Sequence, residues 1–485
     1  MREVDTLVIG SGFGGLSAAL TLAEQGVEVL LVESLKYPGG CASTFTKQGY
    51  AFEAGATLFS GFGPGQLMRG WIERYGLDVQ VQMLDPIVEL RAPGFYLAIP
   101  TQREELVSRI AALSGDKAQG VRDFFDEQRR VADSLWALFD DPAMLPPFGM
   151  KQALAHVARS PRYLPLLRLI GRPLQSALER HGVHKVSALR TYLDAVCQIT
   201  VQAPASRAEA PFAMGAMDYY FRGTGHIQGG IGQLAWGLVS AIEQCGGEVR
   251  MSTRAKSLRR HDGMWQAELR GETVQARRVV ANLLPQAVMA VTERQTPELL
   301  ALAERVEQGW GAVMLYLAID GQALERQHPY HLELVQDPDQ PYVDGNHLFC
   351  SIGGAGEDPS GQRTVTVSTH VALAPLQALS KDEQELRISA IQAKMEQGLK
   401  ALAPELVTHR VATFPASPRT WERFTRRTGG FVGGIPRTAG LHNYQGMIPS
   451  PMLPDLYMVG DTVFPGQSTL ATALGGVKLG TWLSS

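Results

Sequence analysis

Glycines near the start of the chain have a spacing that favours binding of a dinucleotide pyrophosphate. Residues 10–15 read Gly-Ser-Gly-Phe-Gly-Gly, and Glu33 follows at the end of the next apolar stretch. The first glycine permits a tight turn, the second lets a pyrophosphate approach the backbone, and the third lets a helix pack on a strand. Glu33 is expected to accept hydrogen bonds from ribose hydroxyls and to repel a 2′-phosphate. The candidate contacts from the turn are Gly10, Gly12, Phe13, Gly14 and Gly15.

The elements predicted around this turn form the setting that a dinucleotide site needs. A short apolar strand is predicted over 6–9, an alanine- and leucine-rich helix over 16–24, and a continuous apolar strand over 27–32. A strand without alternation is typical of a parallel sheet covered on both faces. The helix N-terminus offers free N–H groups and partial positive charge to phosphates. This context favours ligand binding over a glycine turn with no ligand.

Two further glycine turns follow the acidic residue and suit a cofactor larger than NAD. Residues 38–41 read Pro-Gly-Gly-Cys and residues 52–57 read Phe-Glu-Ala-Gly-Ala-Thr. Close backbone approach to FAD is expected here, with Gly40, Cys41, Gly55 and Thr57 as candidate contacts. For Cys41, the role of a small residue packed beside the cofactor is favoured over that of a thiol that attaches the flavin or takes part in redox chemistry. No second GxGxxG stands in a strand–helix context, because residues 223–228 depart from it at the last position, so no separate nicotinamide site is predicted.

Gly460 and Asp461 follow a short apolar strand at 456–459 and precede a helix predicted over 468–482. A carboxylate at this position is suited to accept hydrogen bonds from the ribityl hydroxyls of a flavin. The N-terminus of the following helix can stabilise negative charge on reduced flavin. A turn with a helix cap is the alternative, and the fingerprint at the start of the chain favours flavin contact.

Size and composition bound the remaining possibilities. A chain of 485 residues exceeds one compact core, so two domains are expected. A net charge of −3 argues against a nucleic-acid partner. The four cysteines form neither a CxxC pair nor a Cys/His cluster, so neither a metal site nor a dithiol is predicted. No cleavable signal and no transmembrane helix are predicted, which indicates a cytoplasmic protein.

The glycine clusters lie at the start, middle and end of the chain, which predicts a nucleotide domain assembled from three segments. The predicted fold class is α/β, with a discontinuous Rossmann-like FAD-binding domain and an inserted α+β substrate domain made of a helical part and an antiparallel sheet. The FAD-binding domain is predicted over 1–75, 222–295 and 425–485, and the substrate domain over 76–221 and 296–424. Helices are expected over 102–193, and strands with one charged helix at 381–402 over 300–425.

These motifs resemble the phytoene desaturase/carotenoid isomerase branch of the flavin amine oxidase-like superfamily. The matching segments are Glu33 to Gly40, residues 52–55, the glycines and following helix at 229–234, the Val-Val-Ala-Asn strand end at 279–282, and Gly-Asp with Pro-Gly-Gln at 460–467. Ser468 stands where many relatives have glycine. The resemblance is weaker across 75–220 and 300–420. It adds Ala255, Asn282, Gln467 and Leu470 to the expected cofactor contacts.

The resemblance implies an FAD-dependent enzyme that desaturates a long apolar polyene by hydride transfer, with a quinone or oxygen as electron acceptor. Three alternatives stay open. A carotenoid isomerase would use reduced flavin without net redox change. A flavin amine oxidase would act on a soluble amine. A binder of prenylated proteins, similar to GDP-dissociation inhibitors, would need no flavin, and the intact motif at Asp461 argues against it.

No arrangement of catalytic acid, base or nucleophile stands out, so the catalytic residues are left unassigned. Hydride loss to a flavin can proceed through positioning and the chemistry of the cofactor. The stretch 214–221 is rich in Met and aromatic residues and suits either an apolar substrate channel or core packing. For His226, a structural role in hydrogen bonding is favoured over that of a catalytic base.

Residues 151–190 carry eight cations and one acid, with leucines and a tyrosine between them. A basic amphipathic surface of this kind indicates contact with a membrane, and the alternative is a solvated face that covers the core. Pro161, Pro165 and Pro173 are expected to break any long helix, which predicts a short, bent patch. Peripheral contact with the inner face of the cell membrane is therefore expected.

Overall fold

The computed structural model describes residues 2–55, 58–141, 144–325, 327–358 and 360–484. The strands are β1 (Arg2–Ile9), β2 (Val29–Val32), β3 (Thr44–Lys47), β4 (Tyr50–Glu53), β5 (Val81–Met83), β6 (Val88–Ala92), β7 (Phe95–Ile99), β8 (Gly225–Ile227), β9 (Glu248–Arg250), β10 (Ser257–His261), β11 (Met264–Glu268), β12 (Thr273–Ala281), β13 (Trp310–Asp320), β14 (His331–Val335), β15 (His347–Ile352), β16 (Gln362–Ala372), β17 (Arg410–Ala416), β18 (Phe431–Val432) and β19 (Leu456–Met458).

The helices are α1 (Phe13–Glu24), α2 (Leu67–Tyr75), α3 (Arg103–Ala112), α4 (Ala118–Phe139), α5 (Met150–Leu167), α6 (Leu174–Arg180), α7 (Ser187–Thr200), α8 (Ala210–Met217), α9 (Gly232–Gln244), α10 (Pro285–Thr292), α11 (Pro297–Glu307), α12 (Leu373–Gln377), α13 (Lys381–Leu402), α14 (Glu405–Thr408), α15 (Pro418–Thr425) and α16 (Thr469–Ser484). The charged helix predicted at 381–402 is α13. The expectation of a single helix among the strands of 300–425 is wrong, because α12, α14 and α15 also lie there.

The first sheet has a parallel centre in the order β9-β2-β1-β12, and the hairpin β10–β11 extends it. β12 pairs with β11 at its start and in parallel with β19 at its end. All four residues of β2 are buried, as expected for a strand covered on both faces. The sheet is therefore Rossmann-like and joins strands from the start, middle and end of the chain.

Helix α1 packs against the C-terminal helix α16, and nearly all its residues are buried. Small residues make this close contact possible. A Cβ added at Gly476 would lie 2.1 Å from Ser17 Oγ and 2.3 Å from Gly14 O. A larger residue at position 476 would therefore push the two helices apart.

The second sheet has the order β17-β13-β16-β15-β14-β6-β7 and is antiparallel except for the pair β14–β6. β18 also pairs with β13, so one short strand of the 425–485 segment joins this sheet. Helices α3 to α8 pack together beside it around an apolar core that they share with β6 and β7. The predicted architecture, a Rossmann-like FAD domain with a helical and antiparallel α+β part, is confirmed.

Helix α5 continues through Pro161 and Pro165, so the expected break at these residues is wrong. Proline removes a backbone N–H and frees the carbonyl four residues earlier. The carbonyl freed by Pro161 is that of Val157, and it accepts a hydrogen bond from the Ser160 hydroxyl at 2.8 Å. A side-chain donor therefore replaces the missing backbone donor. Among the described helices, none is long and apolar enough to cross a membrane.

A glutamate is buried at the centre of β14. Glu333 is 1% exposed, and its Oε1 accepts a hydrogen bond from the Tyr220 hydroxyl at 3.1 Å. Its Oε2 has no partner among the described residues. Burial raises the pKa of Glu333 to about 8, against the opposing effect of the Tyr220 hydrogen bond. The carboxyl group is therefore neutral at pH 7.

This buried acid is expected to make stability fall as pH rises. Between pH 4.5 and 8 the unfolded chain loses the Glu333 proton while the folded protein keeps it, so the free energy of unfolding falls by up to about 1.4 kcal/mol per pH unit. Above pH 8 the effect levels off. Glu333→Gln should remove this slope, measured as thermal midpoints from pH 5 to 8.5. The exposed Glu385→Gln is the control, and parallel profiles for parent and Glu333→Gln would contradict the prediction.

Candidate functional site

A cavity of about 570 Å³ lies beyond the carboxyl ends of the parallel strands of the first sheet. Its wall is drawn from three stretches of chain, within 9–42, 253–291 and 422–472. Ligands of open α/β sheets bind at this edge. The cavity volume lies within the range of small-molecule and cofactor sites. The wall of this cavity therefore combines residues from the start, middle and end of the chain.

The first glycine turn forms one wall of the cavity, and its glycines are required by close packing. Gly10 has φ +98°, and a Cβ at Gly15 would lie 2.0 Å from Gly10 O. Helix α1 begins here with Gly12 as its cap residue and no side-chain acceptor. N–H groups of its first turn are therefore left for a phosphate. With its amide oxygen facing the turn, Asn282 accepts a hydrogen bond from Gly12 N–H at 3.0 Å.

Glu33 lies on the cavity wall and also orders the glycine turn. Its Oε2 accepts hydrogen bonds from the backbone N–H and the hydroxyl of Ser11, both at 2.8 Å. Its Oε1 accepts from Leu35 N–H at 2.8 Å and from the Ser34 hydroxyl at 3.1 Å. From the sequence, only a contact with the ribose was expected of this residue. The structure adds a structural role, because these bonds join the turn to the end of β2.

The second glycine turn packs against the first. Gly39 N–H donates to Ser11 O at 2.8 Å, and Gly40 and Cys41 line the cavity beside it. Burial raises the pKa of the Cys41 thiol, although the charge of Arg427 acts in the opposite direction. The thiol therefore stays protonated at neutral pH, which fits the interpretation of Cys41 as a small residue in the wall.

Asp461 lies on the cavity wall and forms an ion pair with Arg427 that was not predicted from the sequence. Its Oδ2 accepts a hydrogen bond from Arg427 Nη2 at 2.6 Å. Arg427 precedes the third glycine cluster at 429–434. The available signal was the run Arg423, Arg426 and Arg427 directly before those glycines, and all three line the cavity.

Gln467 and Ser468 form the far end of the cavity wall, just before α16. Gln467 Nε2 donates to Ile199 O at 3.0 Å, while its buried Oε1 has no partner among the described residues. Ser468 has φ +82°, the left-handed region that favours glycine, which is consistent with the glycine expected at this position from the resemblance. Its hydroxyl accepts from Ala471 N–H at 3.0 Å and caps α16.

Most of the expected cofactor contacts lie together on this wall. They are Gly10, Gly12, Phe13, Gly14, Glu33, Gly40, Cys41, Ala255, Asn282, Gly460, Asp461 and Gln467. Gly15 lies behind the turn in the contact between helix and strand. Gly55 packs against Trp421 instead, and Leu470 points into the core, 3% exposed. Thr57 lies outside the described residues.

A second, apolar cavity of about 120 Å³ adjoins the first, and Gln467 and Ser468 belong to both walls. Helices α4 and α8 and the segments 437–447 and 464–474 enclose it. Of the stretch 214–221, Gly215, Ala216 and Tyr219 line this cavity, whereas Met214, Met217 and Tyr220 are buried in the core. Part of this stretch therefore lines a cavity, and part of it packs in the core.

His226 lies in neither of these cavities. Its Nε2 is 2.6 Å from Glu357 Oε1, and its ring stacks on Tyr330 with centroids 4.3 Å apart. His226 and Glu357 line a separate polar cavity of about 140 Å³. His226 thus has the hydrogen-bonding role expected of it.

The larger cavity fits FAD. It presents the free start of α1 for a pyrophosphate, the Glu33 and Asp461 carboxylates for hydroxyl groups, and the unpartnered Gln467 Oε1 as a buried acceptor. A buried acceptor of this kind requires a donor, which FAD can supply. The fold and the cavity thus define a dinucleotide-binding protein.

The chain belongs to the flavin containing amine oxidoreductase family, which it matches over residues 13–468. Its cofactor is FAD, and it is an FAD-dependent oxidoreductase. The chain is 24% identical over 512 aligned positions to a chloroplastic prolycopene isomerase of Daucus carota, covering 98% of this chain and 79% of that protein. The predicted resemblance is confirmed.

Two further comparisons agree with this assignment. A phytoene desaturase (neurosporene-forming) of Cereibacter sphaeroides is 28% identical over 272 positions, covering 52% of this chain and 47% of that protein. The crystal structure of an oxidoreductase from Methanosarcina mazei superposes with a TM-score of 0.66 at 17% identity, covering 98% of this chain and 99% of that chain. The structural match shows that the fold is shared along the whole chain.

Proposed function

We propose that the protein desaturates a long apolar polyene, similar to a carotenoid, by hydride transfer to FAD. The observation that carries this proposal is the apolar cavity that shares Gln467 and Ser468 with the FAD cavity. This cavity of about 120 Å³ holds a short stretch of the carbon chain, which would contact the flavin side of the wall while the remainder of the polyene lies outside it. The names of the similar isomerase and desaturase support a substrate of this class.

The side chains on the apolar wall act by binding and orienting the substrate. FAD, when bound, would supply the acceptor for a hydride from the substrate carbon, and the second hydrogen would pass to water as a proton. Tyr219, Tyr444 and Arg437 are the titratable residues on the wall. Burial raises the pKa of both tyrosines and lowers the pKa of Arg437 to about 10, so all three hold their protons at pH 7. Positioning therefore replaces general-base catalysis here.

The composition of this wall favours a polyene over a soluble amine. No carboxylate is present among its lining residues, and most of them are aliphatic or aromatic. An ammonium group placed there would lose its hydration without gaining an ion pair. A quinone or oxygen is proposed as the acceptor that reoxidises the flavin.

Cis–trans isomerisation of a carotenoid is the second candidate reaction. It is favoured by the prolycopene isomerase match, which spans 98% of the chain, whereas the phytoene desaturase match spans 52%. Both reactions need the same apolar cavity beside the flavin. They differ in whether electrons leave the substrate.

The purified FAD-loaded protein, given phytoene or prolycopene in liposomes, distinguishes the two reactions. Desaturation predicts products with added double bonds that form only when a quinone or oxygen is supplied. Isomerisation predicts a product of unchanged mass that forms anaerobically when the flavin is reduced beforehand. Turnover of amines with no change in either polyene would contradict both proposals.

We also propose that α5 places the protein on a membrane. Its exposed apolar residues are Met150, Leu154, Val157, Leu164 and Leu167, 59% to 83% exposed and spaced along one side of the helix. Lys151, Arg159, Arg162, Arg168 and Arg172 provide the positive charge. An apolar face flanked by cations is typical of helices that lie in an anionic bilayer surface.

The apolar cavity is close to this surface along the chain. Leu145 and Met447 line the cavity, while Phe148 and Ile448 nearby are 44% and 57% exposed. A polyene dissolved in the bilayer would therefore meet exposed apolar side chains before it reaches the cavity. Direct transfer avoids exposing the hydrocarbon to water.

Removing the apolar face should weaken membrane binding. We expect Leu154→Ser with Val157→Ser and Leu164→Ser to reduce sedimentation with anionic liposomes at least about tenfold, since each buried aliphatic side chain contributes about 1.5–3 kcal/mol. Arg168→Glu with Arg172→Glu should also reduce it, by about 1 kcal/mol per lost cation, and salt should lower binding of the parent. FAD absorbance should stay unchanged.

Leu386→Ser is the matched control, since Leu386 is 71% exposed on α13. It should sediment like the parent protein. Sedimentation of the α5 variants at the parent level would show that another surface, or none, meets the membrane.

A further inference from the structure

The ion pair between Arg427 and Asp461 is mostly buried on the wall of the FAD cavity. The two side chains are 20% and 19% exposed, and Nη2 lies 2.6 Å from Oδ2. The other carboxylate oxygen of Asp461, Oδ1, receives no hydrogen bond from any residue that the structure describes. Asp461 is therefore held on one side and left with an acceptor for a ligand hydroxyl.

Arg427 is itself fixed by contacts that need no ligand. Its Nε donates to Phe431 O at 2.8 Å, and its guanidinium lies over the Phe431 ring, 5.2 Å from the centroid. The planar guanidinium thus binds a backbone carbonyl and a carboxylate at once. A lysine offers a single flexible donor group and cannot reproduce this geometry.

The third glycine cluster brings Arg427 to this position. A Cβ at Gly430 would lie 2.0 Å from Pro418 O, and a Cβ at Gly434 would lie 2.9 Å from Asp461 O. Both glycines have φ in the left-handed region, at +72° and +82°. The chain that follows α15 can therefore pass closely between Pro418, at the start of α15, and the turn at Asp461.

We propose that Arg427 is a positioning residue for FAD, which fixes the Asp461 carboxylate and offsets its charge next to the cofactor phosphates. Without Arg427, Asp461 would be a largely buried carboxylate with no cation beside it in a cavity that binds a dianionic pyrophosphate. Both its orientation and its charge would then oppose binding. With Arg427 present, its guanidinium pairs with one carboxylate oxygen of Asp461. The other oxygen can then accept a hydrogen bond from a ribityl hydroxyl.

FAD titration of the apoprotein by calorimetry or flavin fluorescence tests this proposal. Arg427→Gln and Asp461→Asn should each weaken the Kd of FAD by about 10- to 100-fold, since hydrogen bonds to charged groups contribute about 1.5–3 kcal/mol. The double variant should bind FAD about as weakly as Asp461→Asn alone, because Arg427 acts through Asp461. Arg427→Lys should restore only part of the affinity. Arg419→Gln, an exposed arginine at the start of α15, should bind like the parent.

Two results would overturn the proposal. One is a parent-like Kd in Arg427→Gln or, if that variant does not fold, in Arg427→Lys. The other is a double variant whose loss equals the product of the two single losses, because that would show that Arg427 acts independently of Asp461. The thermal midpoint of each apoprotein shows that the variant is folded at the temperature of the titration, so that a weaker Kd is taken only from folded protein, because loss of a mostly buried ion pair also lowers that midpoint.

Discussion

Replacing Glu33 with alanine is expected to give a protein that purifies with little or no FAD. The carboxylate joins the glycine turn to the chain after β2 through four hydrogen bonds, two of them from Ser11. Alanine leaves the buried Ser11 donors unpaired and removes the expected acceptor for the ribose. Two lost bonds from ribose hydroxyls to the carboxylate amount to about 3–6 kcal/mol, which corresponds to a Kd for FAD weaker by about 10²- to 10⁴-fold.

Glu33→Gln separates the two roles of this residue. Glutamine keeps one oxygen acceptor and replaces the other with an NH₂ donor, so we expect an intermediate loss of affinity. Flavin content after gel filtration and calorimetric titration of the apoprotein provide the measurement. An alanine variant that retains stoichiometric FAD would show that the turn holds the pyrophosphate without the acid.

Filling the apolar cavity should stop polyene turnover while FAD stays bound. Ala216 lines this cavity and is not part of the FAD wall. The side chain introduced by Ala216→Phe would occupy much of the 120 Å³ available. We expect polyene conversion to fall by about 100-fold or more, because even a displacement of about 1 Å from the reactive geometry costs that much. Chromatography of the pigments measures conversion, and the flavin spectrum should match the parent.

Ala401→Phe is the matched control, an exposed alanine near the end of α13. It adds the same ring to a helix away from both cavities and should leave conversion unchanged. Parent-like conversion by Ala216→Phe would place the substrate elsewhere. Loss of FAD from Ala216→Phe would mean that the two cavities are not separable at this residue.

The sequence was informative wherever backbone conformation depends on local residues. The turn at Gly10 and Gly12 and the helix α13 were predictable because glycine spacing and capping act over a few positions. Ser380 and Glu383 form a capping box at the start of α13, which explains why that boundary is sharp. The division into three segments rested on the glycine clusters and stays a prediction, while the first sheet does contain strands from the start, middle and end of the chain.

Contacts between distant segments were not predictable in this way. Arg427 and Asp461 belong to separate loops, and only the folded chain brings them together. Leu470 was expected at the cofactor, but its side chain points into the core. Thr469 and Thr472 face the cavity instead, because of the rotation of α16 about its own axis. A shift of one residue rotates a helical side chain by about 100°, and sequence alone does not set that phase.

The distribution of the FAD site along the chain determines when it can form during synthesis. β1 is made first, yet its neighbour β12 and the helix α16 that covers α1 come much later. Until α16 has left the ribosome, α1 lacks the partner that buries its apolar surface. Long-range pairing of this kind slows folding and leaves apolar surface open to aggregation. Cofactor capture is therefore expected only after α16 has been made, and bound FAD marks a chain in which this helix has docked on α1.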